Sequence, residues 1–241
     1  MPLAVLSGDS SDVFSIRRGN IQFPDGKTLP IKQIGKGMFA TAYATVGTKN
    51  KRVFVAVRDS VYPVENDYSK EIMEEAQGKG LTHLPKVKKL GDTNNAALYE
   101  MPFYKVPVRA QDGAAWQQYK VLKKCQDQAQ RLTPYAEKTY DGVGYELSQK
   151  ILSCVQLHVA AKKVPRTLYN SLKAVVDAGA NYGAEYSLEF FPKNLGTDPK
   201  GRLILLDPIF SIRVVRQRQV AAARKMDSYW ERMKRKQRNG W

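Results

Sequence analysis

The sequence predicts an α+β fold in two lobes, a small β-rich lobe with one helix followed by a mainly helical lobe, and three observations predict it. Strand-forming runs separated by Gly, Asp and Asn turns occupy positions 29–106. Beyond Pro107 the composition turns helical over three long segments. In the second half, Ser187-Leu188-Glu189-Phe190-Phe191-Pro192-Lys193-Asn194 is followed, 13 positions after Asn194, by Asp207, with the turn Asp198-Pro199-Lys200-Gly201 between them.

Taken in order, residues 1–28 form a lead-in with short strand-like pieces at 13–16 and 19–23, followed by the turn Pro24-Asp25-Gly26. Residues 29–106 make the first lobe. It holds two strands around a Gly-rich turn, and then a strand over 52–58 whose Val53, Phe54, Val55 and Val57 are strong strand formers. A helix over 67–78 follows, stopped by Gly78 and Gly80. Strands at 87–90 and 96–101 then flank the turn Gly91-Asp92-Thr93-Asn94-Asn95. The second lobe, 107–210, carries helices over 114–133, 145–162 and 167–178, then strands near 194–196 and 203–206. Residues 211–241 close the chain as a basic tail with a helix over 220–237.

A length of 241 residues suffices to bury a core shared by two packed lobes of about 100 residues each. The hydrophobic share of 43% and the absence of repeats or low-complexity tracts point to a globular chain. No run approaches 18 apolar residues and the start lacks the pattern of a signal peptide, so a cytoplasmic protein with no membrane partner is expected. Cys125 and Cys154, with His83 and His158, show no zinc-site spacing and are expected to be a reduced, ordinary pair. The net charge of +16 favours an anionic partner, and half of it lies in residues 211–241.

Several positions carry chemistry. In Ile34-Gly35-Lys36-Gly37, Gly35 and Gly37 suit either close backbone approach to phosphate oxygens or a plain hairpin turn. Arg58 ends the strand Val55-Ala56-Val57-Arg58, either as a phosphate-facing cation or as a surface charge. Leu98-Tyr99-Glu100-Met101-Pro102 reads equally as a hinge between the lobes or as an edge strand ending at a proline. The turn at 198–201, between two short strands, returns the chain from Asn194 toward Asp207.

This set, in this order, resembles the eukaryotic-type protein kinase fold over roughly 29–210. Within that fold it is similar to the compact early Ser/Thr kinases of autographivirus-type bacteriophages, which carry Asp-Pro in place of Asp-Phe-Gly, as Asp207-Pro208 does here. The resemblance implies ATP and magnesium as cofactors, with Gly35 and Gly37 at the phosphates and Arg58 on them, held by Glu75 or Glu71. It further implies an adenine edge met after Glu100 and at Met101, a loop carboxylate at Glu189, and a metal pair in Asn194 and Asp207. Host proteins of the transcription or defence machinery, in the host cytoplasm, are the implied partners.

The pattern departs from an active kinase at two central positions. Arg58 stands where lysine is expected and brings a longer, planar fork. Glu189 stands for aspartate, and a displacement of about 1 Å costs on the order of 10²-fold in rate. Ser187-Leu188 replaces His-Arg. A pseudokinase or weak kinase that works by binding therefore stands beside an active Ser/Thr kinase. A third reading is a nucleic-acid-binding protein that uses the tail, where Arg224, Lys225, Arg232, Lys234, Arg235 and Lys236 surround a stripe of Met226, Tyr229, Trp230 and Met233. The stripe otherwise docks on the helical lobe.

Overall fold

A sheet built on two thoroughly buried strands, 52–58 and 96–102, organises the first half of the protein. A computed structural model describes residues 14–37, 40–49, 51–58, 68–78, 80–93, 96–133, 143–217, 220–221, 224, 226 and 233. Strands β1 (Ser15–Arg17), β2 (Asn20–Gln22), β3 (Thr28–Lys36), β4 (Ala40–Thr45), β5 (Arg52–Arg58), β6 (Lys88–Thr93) and β7 (Ala96–Pro102) form one sheet in the order β1-β2-β3-β4-β5-β7-β6. Every neighbouring pair is antiparallel. Among the described residues up to Pro102, the one element outside the sheet is the helix α1 (Ser69–Glu75), shorter than the sequence suggests.

β5 is buried on both faces, which is why its sequence is a continuous apolar run rather than an alternation. Val53, Val55 and Val57 join the main core with Ile72 and Met73 of α1, whereas Phe54 and Ala56 face a second cluster with Phe14, Ile21, Ile31 and Leu98. The two short strands expected as a mere lead-in thus extend the sheet and cover its far face, with Phe23 edge-on to Phe14 and Phe54.

The second half packs three helices, α2 (Ala114–Arg131), α3 (Val143–Ala160) and α4 (Arg166–Ala180), so that α3 lies between the other two. Leu122, Leu147, Ile151, Val155, Leu168, Leu172 and Val175 are buried between them and continue the core that starts on β5 and β7. Gly144 lies so close to the Glu185 carbonyl that any side chain there would overlap it.

Four three-residue strands follow: β8 (Tyr186–Leu188), β9 (Leu195–Thr197), β10 (Leu203–Leu205) and β11 (Ile209–Ser211). β9 and β10 form the expected hairpin. β8 and β11 pair with each other and were not expected, because three residues are too few for a period to register. Lys105 bridges Thr197 in both directions, at 3.1 and 2.9 Å, and ties the chain leaving β7 to that hairpin.

Two expectations are corrected. Cys125 and Cys154 are not a reduced pair: α2 and α3 bring their Cα atoms to 5.5 Å and the sulfurs form a disulfide. A separation of 29 residues hides such a meeting from the sequence, because helix packing, not spacing, produces it. The edge-strand reading of 98–102 is corrected too, because β6 pairs with β7 on the side away from β5 and makes β7 an interior strand; of the tail's stripe, Met226 and Met233 are among the described residues and are 57% and 37% exposed. Residues 212–217 are helical, with Ile212 and Val214 buried, and Arg224 is exposed. Lys225, Tyr229, Trp230, Arg232, Lys234, Arg235 and Lys236 lie outside the described residues.

Candidate nucleotide site

One carbonyl organises the candidate site. The single helical turn Pro192–Asn194 ends at β9, and the Asn194 carbonyl accepts the amides of both Leu206 and Asp207 at 3.0 Å. On the other side the Glu189 amide donates to the Pro208 carbonyl at 2.8 Å. β8 and β11 deliver these two segments side by side, and the Phe190 amide is held by Gln126 Oε1 of α2 at 2.9 Å. His83 steadies the hairpin. Its carbonyl accepts the Leu205 amide at 2.8 Å and its Nδ1 donates to the Leu203 carbonyl at 2.7 Å. Burial pushes this imidazole's pKa down, and Thr167 Oγ1 lies 3.2 Å from the other nitrogen.

Glu189, Asn194 and Asp207 therefore converge as expected. Asn194 Nδ2 donates to Glu189 Oε2 at 3.5 Å. Burial, and then the charge of Asp207, raise the Glu189 pKa to about 7, against the opposing pull of Lys193 and Lys123. A carboxyl whose folded pKa lies above its unfolded value favours the folded state most at low pH, and that advantage is lost as pH rises from about 4.5 toward 7. Glu189→Gln is expected to be more stable than the parent at pH 8, by about 1 kcal/mol after discounting for partial exposure, and equally stable near pH 4. Urea titrations at the two pH values measure this; equal gains at both would remove Glu189 as the titrating group.

The remaining expected residues are placed differently. In the Gly-rich segment the Gly37 amide donates to the Ala40 carbonyl at 2.7 Å, and Gly35 sits in the ladder opposite Ala42. Arg58 donates through one terminal nitrogen to the Gly37 carbonyl at 3.3 Å, while its Nε is buried without a partner. No carboxylate of α1 holds it. Glu75 accepts from Asn181 Nδ2 at 2.6 Å, Glu74 from the Lys89 amide at 2.8 Å, and Glu71 from the Tyr99 hydroxyl at 2.5 Å. Burial, with Glu71 beside it, raises the Tyr99 pKa and keeps that hydroxyl a donor. Glu100 is paired with Arg52 at 2.7 Å and Met101 is buried; β6 ends opposite Glu100, so beyond it β7 is paired through β5 alone.

Lys70 escaped the sequence reading. It is the second residue of α1 and its side chain is 6% exposed, with Nζ 2.8 Å from Asp207 Oδ1 and 3.1 Å from the Leu206 carbonyl. Next to Glu71, Glu74 and Glu75 it looks like one more solvated helix charge, and the sole signal was its place one turn before the buried Met73.

The donor set suits a hard cation: Asp207, 46% exposed, offers carboxylate oxygen and Asn194 an amide oxygen, with Glu189 beside them. Lys70 competes for one Asp207 oxygen. Among the described residues Cys125, Cys154 and His158 also gather, with ligand atoms within 4.8 Å of one another, but with both sulfurs in a disulfide they offer a metal only one imidazole. A groove of about 770 Å³ runs along α2 past Trp116, Lys120, Lys123 and Arg131 and omits Asp207. The site is placed by its converging chemistry, not by the size of a cavity.

No protein-family model and no curated protein matches the chain. Among solved structures it is similar to the BubR1 kinase domain, with a TM-score of 0.31 and 13% identity over 89% of this chain and 55% of that one. The chain spans about half the length of that structure, and a likeness of this size carries no argument about function.

Proposed function

We propose that the protein is a two-lobed, protein-kinase-like domain that binds ATP with magnesium and acts on host proteins mainly by binding, in the manner of a bacteriophage pseudokinase or weak kinase. The observation that carries this reading is the clamp at the Asn194 carbonyl, which holds the Leu206 and Asp207 amides and so sets Asn194, Asp207 and Glu189 around one point. Asn194 and Asp207 would hold the magnesium, which when bound supplies neutralisation of the phosphate oxygens. The chain's own residues favour binding over transfer. Arg58 has no helix carboxylate to orient it, the Gly37 amide is engaged by the Ala40 carbonyl, and Glu189 sits one methylene further out than an aspartate would.

A nucleotide-induced rise in melting temperature tests the reading directly. At 100 times Kd, ligand binding stabilises the fold by about 2.7 kcal/mol, and a rise of roughly 5–10 °C with ATP and magnesium is expected for a chain of this size. No rise at millimolar ATP, with or without magnesium, removes the nucleotide-binding reading. Labelled ATP with general protein acceptors separates weak from absent transfer.

One observation favours an active Ser/Thr kinase as the second reading: a carboxyl with a pKa of about 7 is suited to take a hydroxyl proton near neutral pH. Under that reading any transfer rate rises as pH increases through 7. The tail, with Arg224 exposed, keeps open salt-sensitive binding of nucleic acid. Its deletion is best begun after residue 217, since Ile212 and Val214 belong to the core.

A further inference from the structure

We propose that Lys70, delivered by helix α1, is the phosphate-binding cation of the site, in place of the strand residue Arg58. The inference rests on the nucleotide-binding reading above and names the group that recognises the polyphosphate. A buried ammonium aimed at the proposed metal-binding aspartate is the starting observation: the Lys70 side chain is 6% exposed, and its Nζ bridges Asp207 Oδ1 at 2.8 Å and the Leu206 carbonyl at 3.1 Å. An ammonium ion has three donors, and these two contacts use two of them.

The arrangement around it leaves Arg58 without an orienting carboxylate from α1. Arg58 spends a terminal nitrogen on the Gly37 carbonyl, and the three glutamates of α1 that might orient it are taken by Tyr99, Lys89 and Asn181. The first turn of α1 therefore brings a cation to the Asp207 side of the site, and the carboxylates that follow it serve the sheet and α4. A compact, mobile ammonium ion is suited to meet phosphate oxygens as a point charge, whereas the planar fork of arginine needs a bidentate partner in fixed geometry. Partial removal from water strengthens the attraction of such a charge for an anionic ligand. The ligand class is a nucleoside di- or triphosphate, with Lys70 on phosphate oxygens and Asp207 beside it; adenosine, lacking phosphate, gains nothing from Lys70.

Calorimetric titration of the full chain with ATP, ADP and adenosine, at fixed magnesium, tests this. The variants are Lys70→Met, Lys70→Gln, which keeps a donor for the Leu206 carbonyl, and Arg58→Met. The expected result is that both Lys70 variants weaken ATP and ADP at least tenfold relative to adenosine, while Arg58→Met changes that ratio less than threefold. Taking the ratio of ligands within one variant cancels any general loosening of the fold. A parent that binds ATP combined with Lys70 variants that keep its preference for ATP over adenosine overturns the inference alone, as does loss of that preference in Arg58→Met. A parent that binds neither ATP nor adenosine overturns the nucleotide reading and the inference with it.

Discussion

Replacing Asp207 by alanine is expected to lower the unfolding free energy by about 3 kcal/mol, before any effect on ligand binding is counted. The cause is Lys70. Its ammonium group is buried and, of the two partners it has, Asp207 carries the opposite charge. Removing the carboxylate leaves a buried charge with one neutral acceptor, and the low end of the usual range applies because Asp207 is itself 46% exposed. The reverse change is milder: Lys70→Met leaves a half-exposed carboxylate that water can solvate. A double-mutant cycle read by urea unfolding should therefore show Asp207→Ala costing less than about 1 kcal/mol in the Lys70→Met background. Additive losses would mean that the pair is not coupled. Asp207→Ala, the obvious loss-of-function variant for the proposed metal site, thus confounds binding with stability, and Asp207→Asn is the better control.

The second large effect follows from the disulfide between α2 and α3. Cys125 and Cys154 close a loop of 29 residues, and in the chain-entropy account a closure of that length stabilises by about 3.5 kcal/mol. Reduction with a phosphine should lower the melting temperature by roughly 7–14 °C. The double variant Cys125→Ala, Cys154→Ala should melt near the reduced parent and be unaffected by reductant. An unchanged melting temperature on reduction would show that helix packing alone holds α2 against α3. The size of the loss also matters for the candidate site, because Gln126, the next residue after Cys125, holds the Phe190 amide beside Glu189.

The elements most legible in the sequence are those whose signal is local. The helices over 114–131, 143–160 and 166–180 lie within a few residues of their expected limits, because each is long enough for the apolar period to repeat several times. β5 runs from Arg52 to Arg58 as expected, since a run of β-branched and aromatic residues buried on both faces has no competing reading. The return of Asp207 to Asn194 was also legible, because a short turn at 198–201 leaves the chain little choice but to come back; Glu189 joined that pair only through the family resemblance. The covering of the sheet by β1 and β2 was not legible, although Ile21 is fully buried; strands of three residues have no period to show which face they bury or against what.

Residue identity and spacing by themselves determined the α+β order of elements, the strand that runs through the core and the hairpin that returns Asp207 to Asn194. Tertiary structure alone decided which groups partner one another. It turned Glu75 toward Asn181 and Glu71 toward Tyr99, spent the Gly37 amide on the Ala40 carbonyl, joined Cys125 to Cys154, and buried Lys70 against Asp207. The physical reason is one of range. Propensity and period act over a turn of helix or a few strand residues, whereas an ion pair between positions 70 and 207 depends on how α1 seats against the sheet and on which charge that seating leaves facing the site.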